Sequence, residues 1–162
     1  MIYLLFALCI FGLDLFIKKQ IEAQDEAVFP IRLTGGFILK RHHNYGFALN
    51  RLDRHPKLVR LVCFLIFFPL CLWSLRLFFK KSRGRTAAAQ AVGKLGFSFL
   101  LGGAASNLYD RFFRGYVVDY LALPKREGKG AKKIRNIIFN IADFFIFIGG
   151  ILTAVYGLFT EY

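Results

Sequence analysis

Four long apolar runs, separated by two hydrophilic stretches and one short basic turn, set the pattern of this chain. Residues 1–21, 58–79, 87–109 and 136–159 each hold about the 20 residues that cover a ~30 Å hydrocarbon core at ~1.5 Å per residue. This pattern predicts an all-α membrane protein: a four-transmembrane-helix bundle forming a single integral membrane domain over 1–162. The stretches 22–57 and 110–135 then lie on one side of the membrane and both termini on the other. In the first stretch, short mixed runs such as VFPIRL and GFILKRHH are punctuated by Pro30, Gly35, Gly36 and Pro56. Their β-branched and aromatic content predicts a small β-rich cap at the membrane surface. Asn44-Tyr45-Gly46 reads as a turn within it.

The runs differ in texture. The second is an unbroken apolar core around Pro69, tolerated in a membrane helix and expected to kink it. The third is rich in Ala, Gly and Ser, which let helix backbones approach closely in a bilayer, so it is expected at the bundle's centre. Lys94 departs from its apolarity and is expected at a polar seam or the headgroups.

Composition supports the membrane reading. The chain is 56% hydrophobic with 20 Phe, too apolar for an ordinary soluble domain of this size. The net charge of +13 sits in short clusters between apolar runs without a recognition helix or aromatic platform, so no nucleic-acid partner is expected. Cys9, Cys63 and Cys71 fall within apolar runs, read as buried small hydrophobes, and indicate neither disulfides nor a zinc site. Residues 1–13 lack a basic n-region, so the first run is expected to be retained rather than cleaved. Lys and Arg number four in 80–85, six in 22–57 and seven in 112–135. Taken alone, this count would place the larger hydrophilic stretches in the cytoplasm.

Ionisable residues at membrane depth mark function. Asn107, Asp110, Arg111 and Asp119 crowd the end of the third run, and Asn140 and Asp143 lie three apart near the start of the fourth. Asp14 and Lys18, four apart, share a helical face, either as a helix-end ion pair or as support for a site. Asp119 and Asp143 occupy loop-to-helix boundaries on the same side. Two carboxylates meeting in a low-dielectric site hold a single proton near neutrality, which equips one as base and the other as acid. Arg111 either counters a carboxylate or clamps Asp110, for which a structural role is preferred. His42, His43 and His55 lack metal-ligand spacing and read as solvated loop residues. No phosphate loop or HExxH motif is present, and no metal or organic cofactor is expected.

In order, D14-x3-K18, N44-Y-G-x-A48, G102-G-x3-N107-x2-D110-R111-x3-G115-x2-V118-D119 and F139-N-x-A-D143 resemble bacterial lipoprotein signal peptidase, also called signal peptidase II. The blocks touch all four runs and both stretches. The resemblance implies an inner-membrane aspartic endopeptidase that cleaves lipid-modified prolipoproteins before the modified cysteine. It implies Asp119 and Asp143 as the catalytic dyad. Asn44, Gly46, Asn107, Arg111 and Asn140 would line the site, with Asp14 and Lys18 supporting it. It also implies cytoplasmic termini, an active site and β-rich cap at the outer surface, and membrane lipids as surroundings. Phe47 and Leu49 depart from the family pattern after the turn, and 124–135 is longer and more basic than usual. Two rivals stand beside this reading. Gly115-x3-Asp119 imitates a CDP-alcohol phosphotransferase element, but its lead motif is missing and Leu123 stands where another Asp is required. A non-catalytic four-helix paralogue, acting as a helper or small transporter, would keep the same fold.

Overall fold

In the computed structural model, the described residues are 1–46, 52–80, 87–123 and 137–160. Phe47, Ala48, Leu49, most of the basic turn at 80–85, the basic segment 124–135 and Asn136 lie outside them. Four long helices form: α1 (Ile2–Ala23), α2 (Pro56–Phe79), α3 (Ala87–Phe113) and α4 (Ile141–Thr160). Of these, α2 and α4 are long and apolar enough to cross a membrane by length and composition. α1 and α3 carry more charge, and that charge is turned inward: Asp14, Lys18, Lys94 and Asp110 are all buried.

The outer surface is inverted relative to a water-soluble bundle. Leu65 and Trp73 on α2 are each 59% exposed, Phe16 on α1 is 60% and Phe147 on α4 is 67%. Large apolar side chains therefore face outward on three helices while the ion pairs face inward. Water would penalise that distribution, whereas lipid accommodates it. The cysteines differ from expectation: Cys9 is exposed on the outer face of α1, while Cys63 and Cys71 are only half-buried, Cys63 at the cavity and Cys71 against the Ala7, Phe78 and Leu101 cluster.

α3 is the central helix, packed against α1, α2 and α4. Glycines set its approach distances. A Cβ on Gly102 would stand 2.6 Å from the Ala7 carbonyl oxygen of α1, and one on Gly103 would stand 2.6 Å from the Ala142 carbonyl oxygen of α4. Side chains there would force the helices apart. Lys94 reaches back to donate to the Lys80 carbonyl at 2.5 Å, at the C-terminal end of α2, which favours a cation.

A four-stranded antiparallel sheet in the order β1 (Ile31–Arg32), β2 (Ile38–Asn44), β3 (Val117–Ala122), β4 (Ile138–Phe139) closes one end of the bundle. The sheet therefore draws on both hydrophilic stretches, whereas the sequence reading placed strands only in the first. β3 shows no alternation of apolar and polar residues that would mark it as a strand, because all but one of its residues are buried. Val118 and Tyr120 pack with Ile21 of α1, while Asp119 is left facing the other way. The last helix also starts later than the expected 136. Ile138 and Phe139 pair with Ala122 and Leu121 as a strand, since Asn140 stops and caps the helix rather than extending it. β2 reaches only Asn44, which ends in the expected turn: its Oδ1 accepts from the Gly46 amide at 3.0 Å.

Candidate active site

The N-terminus of α4 explains much of the site. The first amides of a helix have no partner within it. Here Asn140 and Asp143 cap reciprocally: Asn140 Oδ1 accepts from the Asp143 amide at 2.9 Å, and Asp143 Oδ2 accepts from the Asn140 amide at 3.2 Å. This is the capping-box exchange, with Asp in the place of the usual Glu. The two intervening amides are taken by other elements. Ile141 donates to the Tyr120 hydroxyl at 3.1 Å and Ala142 to Asp14 Oδ1 at 3.3 Å. The same bonds that start the helix thereby fix Asp143.

Asn140 also joins the two aspartates. Its Nδ2 donates to Asp119 Oδ1 at 2.9 Å and to Asn107 Oδ1 at 3.1 Å. Asn107 Nδ2 donates to Asp143 Oδ1 at 2.8 Å, and Asn44 Nδ2 to Asp119 Oδ2 at 2.9 Å. Asn44, Asn107, Asn140, Asp119 and Asp143 thus form one hydrogen-bonded set drawn from β2, α3, β3 and α4. Burial, followed by the charge of Asp143, pushes the Asp119 carboxyl up to about 7, against the pull of its Asn44 and Asn140 bonds.

Behind this set lies a fully buried cation. Lys18 Nζ stands 2.7 Å from Asp14 Oδ2 and 2.9 Å from Asp110 Oδ2, and donates to Asn107 Oδ1 at 2.9 Å. Asp14 and Lys18 are therefore an interior pair, not a snorkelling one at a helix end. Asn107 passes the ammonium's polarisation on to Asp143 directly, and to Asp119 through Asn140. Two residues absent from the sequence reading complete the cluster. Ser106 accepts from Lys18 at 3.3 Å and donates to Asp14 at 2.5 Å. Tyr120 donates to Asp14 at 3.2 Å, and burial with the Asp14 charge raises its pKa, so its hydroxyl stays protonated. A readable signal existed for Tyr120: it follows Asp119 on a strand and so points to the opposite face.

Arg111 plays neither role expected of it. Its Nη2 donates to the Gly46 carbonyl at 2.9 Å and its Nη1 to the Asn107 carbonyl at 3.3 Å, which ties the Asn44 turn to α3. Asp110 instead pairs with Lys18 and, at 2.6 Å, with Arg114, and accepts from the Val118 amide at 3.3 Å. Its expected structural role stands with different partners. Gly115, at φ 87°, makes the reversal from α3 into β3 in a conformation that only glycine adopts without strain; its amide and that of Arg114 both donate to the Asp110 carbonyl. His55 is the exposed loop residue expected, whereas the other two histidines depart from expectation. His42 and His43 lie on β2 and are half-buried. His43 Nε2 lies 2.8 Å from Glu22 Oε1, and its ring stacks on Tyr116 at 4.0 Å.

Asp119 and Asp143 open onto one cavity of about 920 Å³. Its polar wall comprises His42, Asn44, Asn107, Arg111 and the two aspartates, and its remainder is apolar, with Phe67 and Leu70 from α2 and Leu100 from α3. Among the described residues, no group of three or more His, Cys, Asp or Glu side chains is placed to hold a metal ion.

The family model for signal peptidase (SPase) II matches residues 6–159. The chain belongs to the signal peptidase II family. It is therefore a peptidase. The chain is similar to a lipoprotein signal peptidase of Caldicellulosiruptor bescii, 31% identical over 99% of this chain and 93% of the relative. It is also similar to one of Wigglesworthia glossinidia brevipalpis, 29% identical over 90% of this chain and 86% of the relative. Two solved structures described as a bacterial membrane enzyme share the fold at a TM-score of 0.72 and 23% identity, covering 96% and 99% of this chain and 87% and 94% of theirs.

Proposed function

We propose that this signal peptidase II family member removes signal peptides from diacylglyceryl-modified prolipoproteins, with Asp119 and Asp143 as its catalytic pair. The observation that carries the reading is the convergence of both carboxylates on Asn140, at the polar wall of a cavity whose remainder suits lipid. Membership of a peptidase family and similarity to lipoprotein signal peptidases support the substrate class.

The chemistry follows from the asymmetry of the pair. Asp119, pushed up to about 7, is the member that holds the pair's proton, and Asp143 is the member that takes the charge. Asp143 takes a proton from water as its oxygen adds to the scissile carbonyl carbon. Asp119 gives its proton to the leaving nitrogen as the C–N bond breaks, yielding the signal peptide's carboxyl end and the lipoprotein's free amine. Lys18 stabilises the negative site through Asn107 without contacting substrate. The apolar cavity wall receives the diacylglyceryl group.

All four helices span the membrane as one domain, with α3 at the centre and the charged faces of α1 and α3 turned toward each other. Both termini are cytoplasmic and the sheet lies at the outer surface, where a lipid-modified substrate arrives; this outweighs the Lys and Arg count. In purified protein, Asp119→Asn and Asp143→Asn are each expected to lower cleavage of a diacylglyceryl-modified prolipoprotein by about 10²–10⁴-fold. Cleavage retained in either variant removes that residue from the pair, and a native protein that cleaves nothing supports a non-catalytic paralogue.

A further inference from the structure

We propose that His42 is a substrate-positioning residue that hydrogen-bonds the peptide backbone of the substrate beside the two aspartates. The inference rests on the cavity being the peptidase site.

Strand register supplies the placement. His42 is the direct antiparallel partner of Asp119, and Asn44 the partner of Val117. Directly opposed residues have Cβ atoms about 4.5–5.5 Å apart on the same face. Two residues along β2 from His42, Asn44 already bonds Asp119, so the face that His42 shares is the one turned to the reacting groups. His42 lines the cavity with them.

The polar side chains of the wall supply the chemistry. Asn44 is already held on both sides of its amide, by Asp119 and by the Gly46 amide. Asn107 is held by Lys18, Asn140 and Asp143. Arg111 directs its two terminal nitrogens to the Asn107 and Gly46 carbonyls. The His42 ring makes no hydrogen bond among the described residues. A peptide entering a water-poor cavity brings N–H and C=O groups that must be paired. A neutral imidazole offers one donor and one acceptor, matching an extended backbone. Burial, then the charges of His43 and Lys40, lowers the His42 pKa. The ring thereby stays neutral between Asp119 across the sheet, Asp143 on α4 and Arg111 on α3, and adds no cation that would draw the proton off Asp119.

The test uses the full chain in lipid vesicles with a diacylglyceryl-modified prolipoprotein, comparing His42→Phe, His42→Leu and His42→Gln. The two apolar variants are expected to raise KM about three- to tenfold, the range of one lost neutral hydrogen bond, while kcat stays within about twofold. His42→Gln, which keeps a donor and an acceptor, is expected to restore most of the loss. Two apolar variants keep the test open if one fails to fold, and thermal melting identifies that case. Unchanged KM in a folded apolar variant, a loss confined to kcat, or a Gln variant no better than Phe overturns the proposal. Native protein that cleaves nothing defeats the peptidase reading instead, whereas native cleavage with indifferent His42 variants defeats only this inference.

Discussion

Along its Gly93–Gly103 half, α3 meets α4 through the absence of side chains: a Cβ on Gly96 would stand 2.9 Å from the Thr153 amide nitrogen, and one on Gly149 of α4 would stand 2.7 Å from the Gly96 carbonyl oxygen. Four residues past Gly103, the same helix meets α1 and α4 through Asn107 and its neighbour Ser106, then Asp110. There Lys18 binds two carboxylates within 2.9 Å. The glycine half gains dispersion and close backbone approach, which hold α3 to α4 in lipid without a charged pair between them. The polar half gains little net stability from its ion pairs, because desolvation offsets attraction. What it gains is geometry: the carboxylates and amides bond one another in fixed pairs, so Asp119 and Asp143 are held at one cavity wall. One helix thus divides assembly from chemistry along its length.

Removing the cation should separate the two halves most sharply. Lys18→Met leaves Asp14 and Asp110 buried with a missing counter-charge and is expected to cost about 3–5 kcal/mol, read as a lower melting temperature in detergent. Acidification should recover part of that loss by protonating a buried carboxylate that has lost its counter-charge. An equally stable variant would show that the cluster is not held by charge. Gly96→Ala should cost less, about 1–3 kcal/mol for overpacking, and the same acidification should return nothing. A pH-dependent loss at Gly96 would break the division drawn between the halves.

The sequence made the candidate residues legible but not their meeting. Asp14, Lys18, Asn107 and Asp143 were visible as ionisable or amide groups in apolar runs, where lipid leaves few innocent explanations. The central position of α3 was visible in its small residues. The strand register was not, because His42 and Asp119 are 77 positions apart and nothing local records their pairing. The start of α4 was misplaced because Ile137, Ile138 and Phe139 are as apolar as the helix that follows; the Asn140-x-x-Asp143 capping spacing was the available signal. Arg111 and Asp110 are adjacent in sequence yet point to different partners, since neighbours on a helix do not share a face.

The central claim is that Asp119 and Asp143 act as one proton-sharing pair. Carbon NMR of ¹³C-labelled aspartate, assigned with Asp119→Asn, follows the Asp119 carboxyl against pH in native protein and in Asp143→Asn. The neutral form of Asp119 is favoured in the fold, so its contribution to stability is present below about 3.8 and is lost as pH rises through about 7. Native Asp119 is expected to titrate near 7, with cleavage declining above that pH, and to shift clearly downward in Asp143→Asn as the neighbouring charge disappears. An Asp119 that titrates near 4 in native protein, or that ignores the loss of Asp143, would contradict it.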